Sequence, residues 1–412
     1  MTLLESYSRI AGADVTAHLQ QLAARLKGAK VVHVNSTKVG GGVAEILAKL
    51  TPLMAELGID TSWEVIEGER AFFDCSKSIH NALQGNRVAL SETSLELYQK
   101  TNARNAERLR GTLEEADFVF VHDPQPAALL SYCSARRGRW IWRCHIDASH
   151  PDRHVWRYMR NMVLPYDASV FSLAAFAKEL PHPQYIIPPS IDPLSDKNCE
   201  LPPGEVERVC REFAIDRDRP LAVQISRFDR FKDPIGVILA HRMAKRFLPT
   251  LQLIVAGGSA SDDPEGEAVL EEVRTAAGDD PDVHVLLLPP LANLTVNALQ
   301  RASDVVIQKS IKEGFGLTVT EALWKSKPVI GGNVGGIRAQ VVNHHTGFLV
   351  NTSDGAALRI RYLMQHPEER ERIGVTARDF VRDNFLITRH LREYLTLMVA
   401  LLHRADERIQ LA

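Results

Sequence analysis

Residues 304–321 read DVVIQKSIKEGFGLTVTE, and this stretch decides the fold. Residues 304–308 are a short β-branched run that predicts a buried strand, and residues 318–324 are helix-forming. The chain therefore leaves a strand, turns at Gly314, Phe315 and Gly316, and enters a helix. Such a turn aims backbone N–H groups and the positive helix end outward, a setting for phosphate or developing negative charge. Glu313 and Glu321 flank the turn. Carboxylates do not bind phosphate, so this pair predicts a grip on sugar hydroxyls beside an anion, half of a nucleotide-sugar site.

Working outward, the same strand, turn and helix grammar recurs along the chain. Residues 30–35, 61–66, 116–122, 140–145 and 168–172 predict strands, with helical runs between most of them. Between the first two, Gly40, Gly41 and Gly42 precede a helical run over 43–57 with apolar residues at 43, 46, 47, 50, 53 and 54. Prolines 188, 189 and 193 then interrupt regular structure and predict a linker. Alternation restarts with strands expected at 221–226, 251–256, 283–288, 305–308 and 328–331, and the pattern is purely helical after about 356. The expected fold is α/β, two Rossmann-like doubly wound parallel-sheet domains facing across a cleft, with ligands at the carboxyl ends of strands. The boundaries expected are 1–188, 189–388, and a terminal helix over 389–412 crossing back to the first domain.

The 412 residues exceed one ordinary core and suit two domains of about 200 residues each. A net charge of −2 provides no basic field for a nucleic-acid partner, so anionic ligands must be met by local cations. Five scattered cysteines with no C-x-x-C pair suggest thiols in a reducing cytoplasm. The first residues lack a basic and apolar leader, and no window approaches roughly 18 uninterrupted apolar residues, so no membrane span is expected. The oligomeric state is open, a homodimer included.

Several constellations carry chemistry. Arg227 and Lys232 follow a predicted strand and could converge on a diphosphate, Arg as a fork and Lys as a point charge. The alternative is a solvated loop in which they pair with Asp229 and Asp233. The glycines 40–42 let the backbone approach a ligand, or form a simple loop, and they lack the G-x-G-x-x-G dinucleotide pattern. His122, Asp123 and Gln125 stand at one strand end, and Arg143, His145 and Asp147 at the next. They suit hydroxyl recognition, or else cap their loops. Gly257 and Gly258 could admit phosphates or form a turn. Asp216 and Asp218 satisfy a D-x-D pattern but sit in a charged loop, and no metal is required by anything in the chain.

With these residues in hand, the chain resembles the retaining GT-B glycosyltransferases of glycosyltransferase family 4. The segment SRFDRFK at 226–232 and the E-x7-E from Glu313 to Glu321 carry that likeness. The strings SIHNALQG at 78–85, VHDPQP at 121–126 and WRCHID at 142–147 are similar to its trehalose-forming branch. That branch holds both a glycosyltransferring synthase and a retaining phosphorylase. The resemblance implies that Arg227 and Lys232 hold the donor diphosphate, that Glu313 and the N–H groups of Gly314, Phe315, Gly316 and Leu317 hold the transferred glucose, and that Glu321 holds the ribose. It places Gly41 and Gly42 near the phosphate or the acceptor, His145 at the donor sugar, and Asp123 and Gln125 at the acceptor glucose; Gly257, from its place after a strand, is counted on the donor side. The substrate implied is a nucleoside-diphospho-glucose, with no cofactor and no metal. A phosphorylase using glucose 1-phosphate remains an alternative, as does a GT-B epimerase or a non-catalytic sugar-binding protein.

Overall fold

The computed structural model describes residues 2–38, 42–258 and 264–403. The chain divides into two compact units, one running to Ser190 and rejoined by the segment from Ile387, the other spanning Ile191–Leu386.

The first unit is built on six strands: β1 (Lys30–Asn35), β2 (Asp60–Val65), β3 (Phe118–His122), β4 (Arg139–Cys144), β5 (Ala168–Phe171) and β6 (Gln184–Ile186). They pair in the order β2-β1-β3-β4-β5-β6, all parallel. β3 and β5 are buried throughout because helices cover both faces, which is why their sequences are mostly apolar, with only His122 and Ser169 polar. The helix Gly42–Glu56 buries Ile46, Leu47, Leu50, Leu53 and Met54, the face its spacing predicts. Trp140, Trp142, Phe72 and Phe171 fill the core on one side of the sheet. The helix Ile387–Leu402 packs on the helices Ala13–Ala24 and Gly42–Glu56, and lays Tyr394 on Phe120 of β3 with centroids 4.9 Å apart.

The second unit repeats the plan with β7 (Leu221–Ile225), β8 (Gln252–Gly258), β9 (Val283–Leu288), β10 (Val305–Gln308), β11 (Val329–Gly332) and β12 (Gly347–Val350). The order is β12-β11-β10-β7-β8-β9, again all parallel. Chain direction across the sheet reverses between β7 and β10. In open α/β sheets ligands gather at that reversal, at the carboxyl ends of the two strands.

Three details depart from the sequence expectation. β6 and β12 are strands that the sequence pattern does not mark: β6 has three residues among prolines, and β12 opens on a glycine after the polar run at 343–346. Gly257 and Gly258 are the last residues of β8, hydrogen-bonded across to β9, and are not a turn. The linker is also pinned at one point, since Ile191 forms an isolated bridge to Leu386 and its N–H donates to the Phe385 carbonyl at 2.9 Å. Among the described residues no helix is long and apolar enough to cross a membrane.

Candidate functional site

In the second unit, the loops leaving β7 and β10 meet at the reversal point. The Ser226 N–H donates to the Ala256 carbonyl at 3.0 Å, and a Cβ on Gly257 would stand 1.9 Å from the Ser226 carbonyl oxygen. Glycine there allows β8 to run alongside the emerging loop. Asp229 caps a short 3-10 helix, Arg230–Lys232, by accepting from the Phe231 N–H at 2.8 Å. Asp233, in the left-handed region at φ 49°, caps the following helix through the Gly236 N–H and pairs with Lys309 from the end of β10. The two loops are thereby tied together by charge.

The central contact is a second ion pair across the same two loops. Lys232 Nζ lies 2.6 Å from Glu313 Oε2, with side chains only 16% and 11% exposed. Withdrawn charges of this kind are not the weak pairs of an open surface. Ser310 Oγ reaches the same carboxylate oxygen at 3.4 Å. The two cations differ in their surroundings. Arg227 is 66% exposed and 3.4 Å from Asp229, while Lys232 points at the E-x7-E segment.

The Glu313 turn is held from behind. Gly316 (φ 85°) opens the helix Leu317–Trp324, Phe315 packs edge-on against Phe385 at 5.6 Å, and the Gly314 carbonyl accepts from the Gly336 N–H at 3.0 Å. Gln340 Nε2 donates to the Phe315 carbonyl at 2.7 Å. The carbonyls therefore face inward, while the N–H groups of Gly314, Phe315, Gly316 and Leu317 donate to no protein group among the described residues. Four donors beside a helix start and an ion pair form a cradle for oxygen atoms carrying negative charge. Behind it, Gly335 adopts φ 42°, and a Cβ there would stand 1.6 Å from the Glu313 carbonyl oxygen. Gly335→Ala is expected to push the Glu313 turn out of place and lower kcat/KM by roughly 10²-fold, the cost typical of an ångström-scale misplacement. Steady-state kinetics with a melting curve checks this; an unchanged rate would mean the turn's position does not matter.

Glu321 lies one turn into that helix and is buried. One turn on, Lys325 Nζ donates to the Glu321 carbonyl at 3.1 Å and to Asn198 Oδ1 at 3.0 Å. Burial depresses the Lys325 pKa, and the charge of Glu321 opposes the shift. Asp216 and Asp218 are exposed, and Asp216 accepts from the Asp218 N–H at 2.9 Å. Their charged loop is a surface turn.

In the first unit, polar groups collect at the carboxyl ends of β3 and β4. Asp123, at φ 64°, braces the two strands: its Oδ1 accepts from the His145 N–H at 2.7 Å and its carbonyl from Trp142 Nε1 at 3.1 Å. Burial raises its carboxyl pKa to about 6, opposed by that N–H and by Arg143. Gln125 Oε1 is buried with no partner among the described residues, an amide oxygen in want of a donor. His145 Nε2 contacts His122 Nδ1 at 3.0 Å. Asp147 caps its loop, accepting from Ser149 at N and Oγ. Gly42 begins its helix, whereas Gly40 and Gly41 lie outside the described residues.

Comparison with known proteins now decides the family. Residues 33–178 match the family described as trehalose synthase, N-terminal domain, and residues 206–380 that of glycosyl transferases group 1. A trehalose synthase of Pyrococcus horikoshii is 46% identical over 97% of this chain and 96% of its own. The chain belongs to the trehalose synthase family. It is a glycosyltransferase with the GT-B fold. A trehalose phosphorylase of Pleurotus pulmonarius is 28% identical over 86% of this chain but only 55% of its own. A UDP-forming α,α-trehalose-phosphate synthase from Burkholderia xenovorans, in complex with glucose-6-phosphate, shares the fold with a TM-score of 0.71 at 14% identity, covering 90% of this chain and all of that one.

Some residues of the site are not marked by any motif. Lys309 and Asp233 tie the loops together, Gly335 backs the turn, and His33 reaches the strand-end cluster from inside the sheet. The sequence offers one weak signal: three predicted strands each carry a histidine at or near their ends. Only the strand register shows that these meet.

Proposed function

We propose that this glycosyltransferase moves glucose from a nucleoside-diphospho-glucose to glucose, forming trehalose with retention of configuration, and that the reaction is reversible. The observation that carries this reading is the Lys232–Glu313 pair beside four undirected N–H groups at the reversal point of the second sheet. Arg227 and Lys232 bind the diphosphate, whose charge grows as the C1–O bond breaks. Glu313 and the turn N–H groups hold the transferred glucose. Glu321 meets the ribose, and His145, Gly41, Gly42 and Gly257 complete the donor side. Gln125, with its unmatched Oε1, and Asp123 meet the acceptor. The acceptor hydroxyl attacks C1 from the side the diphosphate leaves, and a phosphate oxygen takes its proton. Catalysis is then mainly positional and electrostatic.

The longer and higher-identity match to a trehalose synthase favours a nucleotide-sugar donor over glucose 1-phosphate. The test incubates the protein with glucose and either donor and looks for α,α-trehalose by NMR. Trehalose from the nucleoside-diphospho-glucose is expected. Product from glucose 1-phosphate alone would replace this reading with a phosphorylase, and no product from either would leave an epimerase or a sugar-binding protein.

A further inference from the structure

Three imidazoles form a hydrogen-bonded row in the first unit. His33 lies within β1, His122 ends β3, and His145 follows β4. The register explains the row. His33 is opposite Phe120, and His122 stands two residues further along β3, on the same face. His122 is in turn opposite Arg143, and His145 stands two residues beyond it. The row thus steps diagonally from the interior of the sheet to its carboxyl edge. His33 Nδ1 is 3.1 Å from His122 Nε2, and His122 Nδ1 is 3.0 Å from His145 Nε2. His33 stacks on Phe120 and Tyr394, and His122 stacks on His145 with centroids 5.3 Å apart. His33 and His122 are buried, and His145 is half-buried at the edge.

Burial keeps these rings neutral. It pushes the His33 pKa down to about 3 and holds those of His122 and His145 well below the usual range. A neutral imidazole has one donor nitrogen and one acceptor. Two contacts in series therefore allow two arrangements. If donation runs outward, His33 and then His122 donate from Nδ1, and His145 must carry its proton on Nδ1. If it runs inward, His33 carries its proton on Nε2, a buried atom with no hydrogen-bond partner among the described residues. A buried N–H without an acceptor is a rarer fault than an unmatched lone pair. The outward arrangement is the one the surroundings favour.

We propose that His33 and His122 are positioning residues that lock His145 as its Nδ1–H tautomer, so that a fixed donor faces an oxygen of the bound sugar. The proposal rests on the reading of His145 as a sugar contact and adds what sets its proton. The row acts through hydrogen bonds and takes no proton from substrate.

The tautomer is read directly by long-range ¹H–¹⁵N NMR of the full chain labelled at histidine, with His145 assigned from the spectrum of His145→Gln. The wild-type protein is expected to show a protonated Nδ1 and an unprotonated Nε2 at His145; the reverse pattern overturns the lock whatever the activity. His33→Leu removes the inner donor and is expected to mix the His145 tautomers and lower kcat/KM roughly 10- to 100-fold, the usual effect of losing an orienting partner. His33→Asn, whose amide N–H can stand in for Nδ1–H, is expected to recover most of both signals. Equal losses in the two variants, with an unchanged His145 spectrum, would overturn the positioning role and leave only packing. Because the wild-type spectrum needs no substrate, failure of the sugar-contact reading is distinguishable: the tautomer would stand while His33→Leu left kcat/KM intact.

Discussion

Lys232→Ala is expected to lower kcat by roughly 10²–10³, the range seen when one preorganised donor to a developing charge is removed. Lys232 already faces Glu313 at 2.6 Å, and both are largely withdrawn from water. An ammonium has three N–H donors, so one can stay on Glu313 while others meet a phosphate oxygen. The same substitution strands the Glu313 carboxylate, and removing one partner of a withdrawn pair commonly costs about 3–5 kcal/mol. The two effects separate in the double variant Lys232→Ala with Glu313→Gln. Stability should largely return, because no buried charge is left unpaired, while turnover should not. Arg227→Ala makes a useful contrast: its side chain is mostly exposed and loosely paired, so stability should move by no more than about 0.5 kcal/mol. Near wild-type kcat in Lys232→Ala would remove the residue from the mechanism.

The protein is expected to lose stability steeply as pH falls below about 6.5, and to lose it first in the unit that holds the histidine row. His33, His122 and His390 are buried, with pKa values lowered chiefly by burial. The charges of Arg143 and Arg389 add to the shift at His390, and Arg143 at His122. The sign follows from which state binds protons. Each ring stays neutral when folded, whereas the unfolded chain protonates it near 6.5, so stability is full above that pH and falls below it. For His33 the loss continues down to about 3. Each such ring costs about 1.4 kcal/mol per pH unit, so the three together remove about 4 kcal/mol between pH 7.5 and 5.5. Asp123 works against them, because its raised pKa lets the folded state hold a proton that the unfolded chain releases. Denaturant titrations at the two pH values, followed by tryptophan fluorescence from a unit whose core holds Trp140 and Trp142, check the slope. Equal stability at pH 7.5 and 5.5 would show that the rings are charged in the folded state.

The fold was legible in the sequence because its elements announce themselves locally. A strand buried on both faces shows as an apolar run, as at residues 118–121, and a helix lying on it must show helical spacing, as at 43–57. The strand-turn-helix around Gly314, Phe315 and Gly316 could be read in the same way, since the chain cannot change direction there without glycine. The weaker elements were lost for the same reason. β6 has three residues among prolines, and β12 opens on a glycine after a polar run, so neither shows a local apolar signal.

What the sequence by itself determined, then, was the set of buried runs, the glycine turns between them, and the residue types at strand ends, all of which depend on near neighbours in the chain. What only the tertiary structure decided was which distant residues share a partner. Lys232 and Glu313 are joined because β7 and β10 lie side by side, although a whole strand-helix-strand excursion separates them in the chain. Gly335 must be glycine because the Glu313 carbonyl occupies the space its side chain would fill. The three histidines meet because each neighbouring strand is offset so that every second residue faces the next ring. Register is set by the packing of whole layers, and no local stretch of sequence contains it.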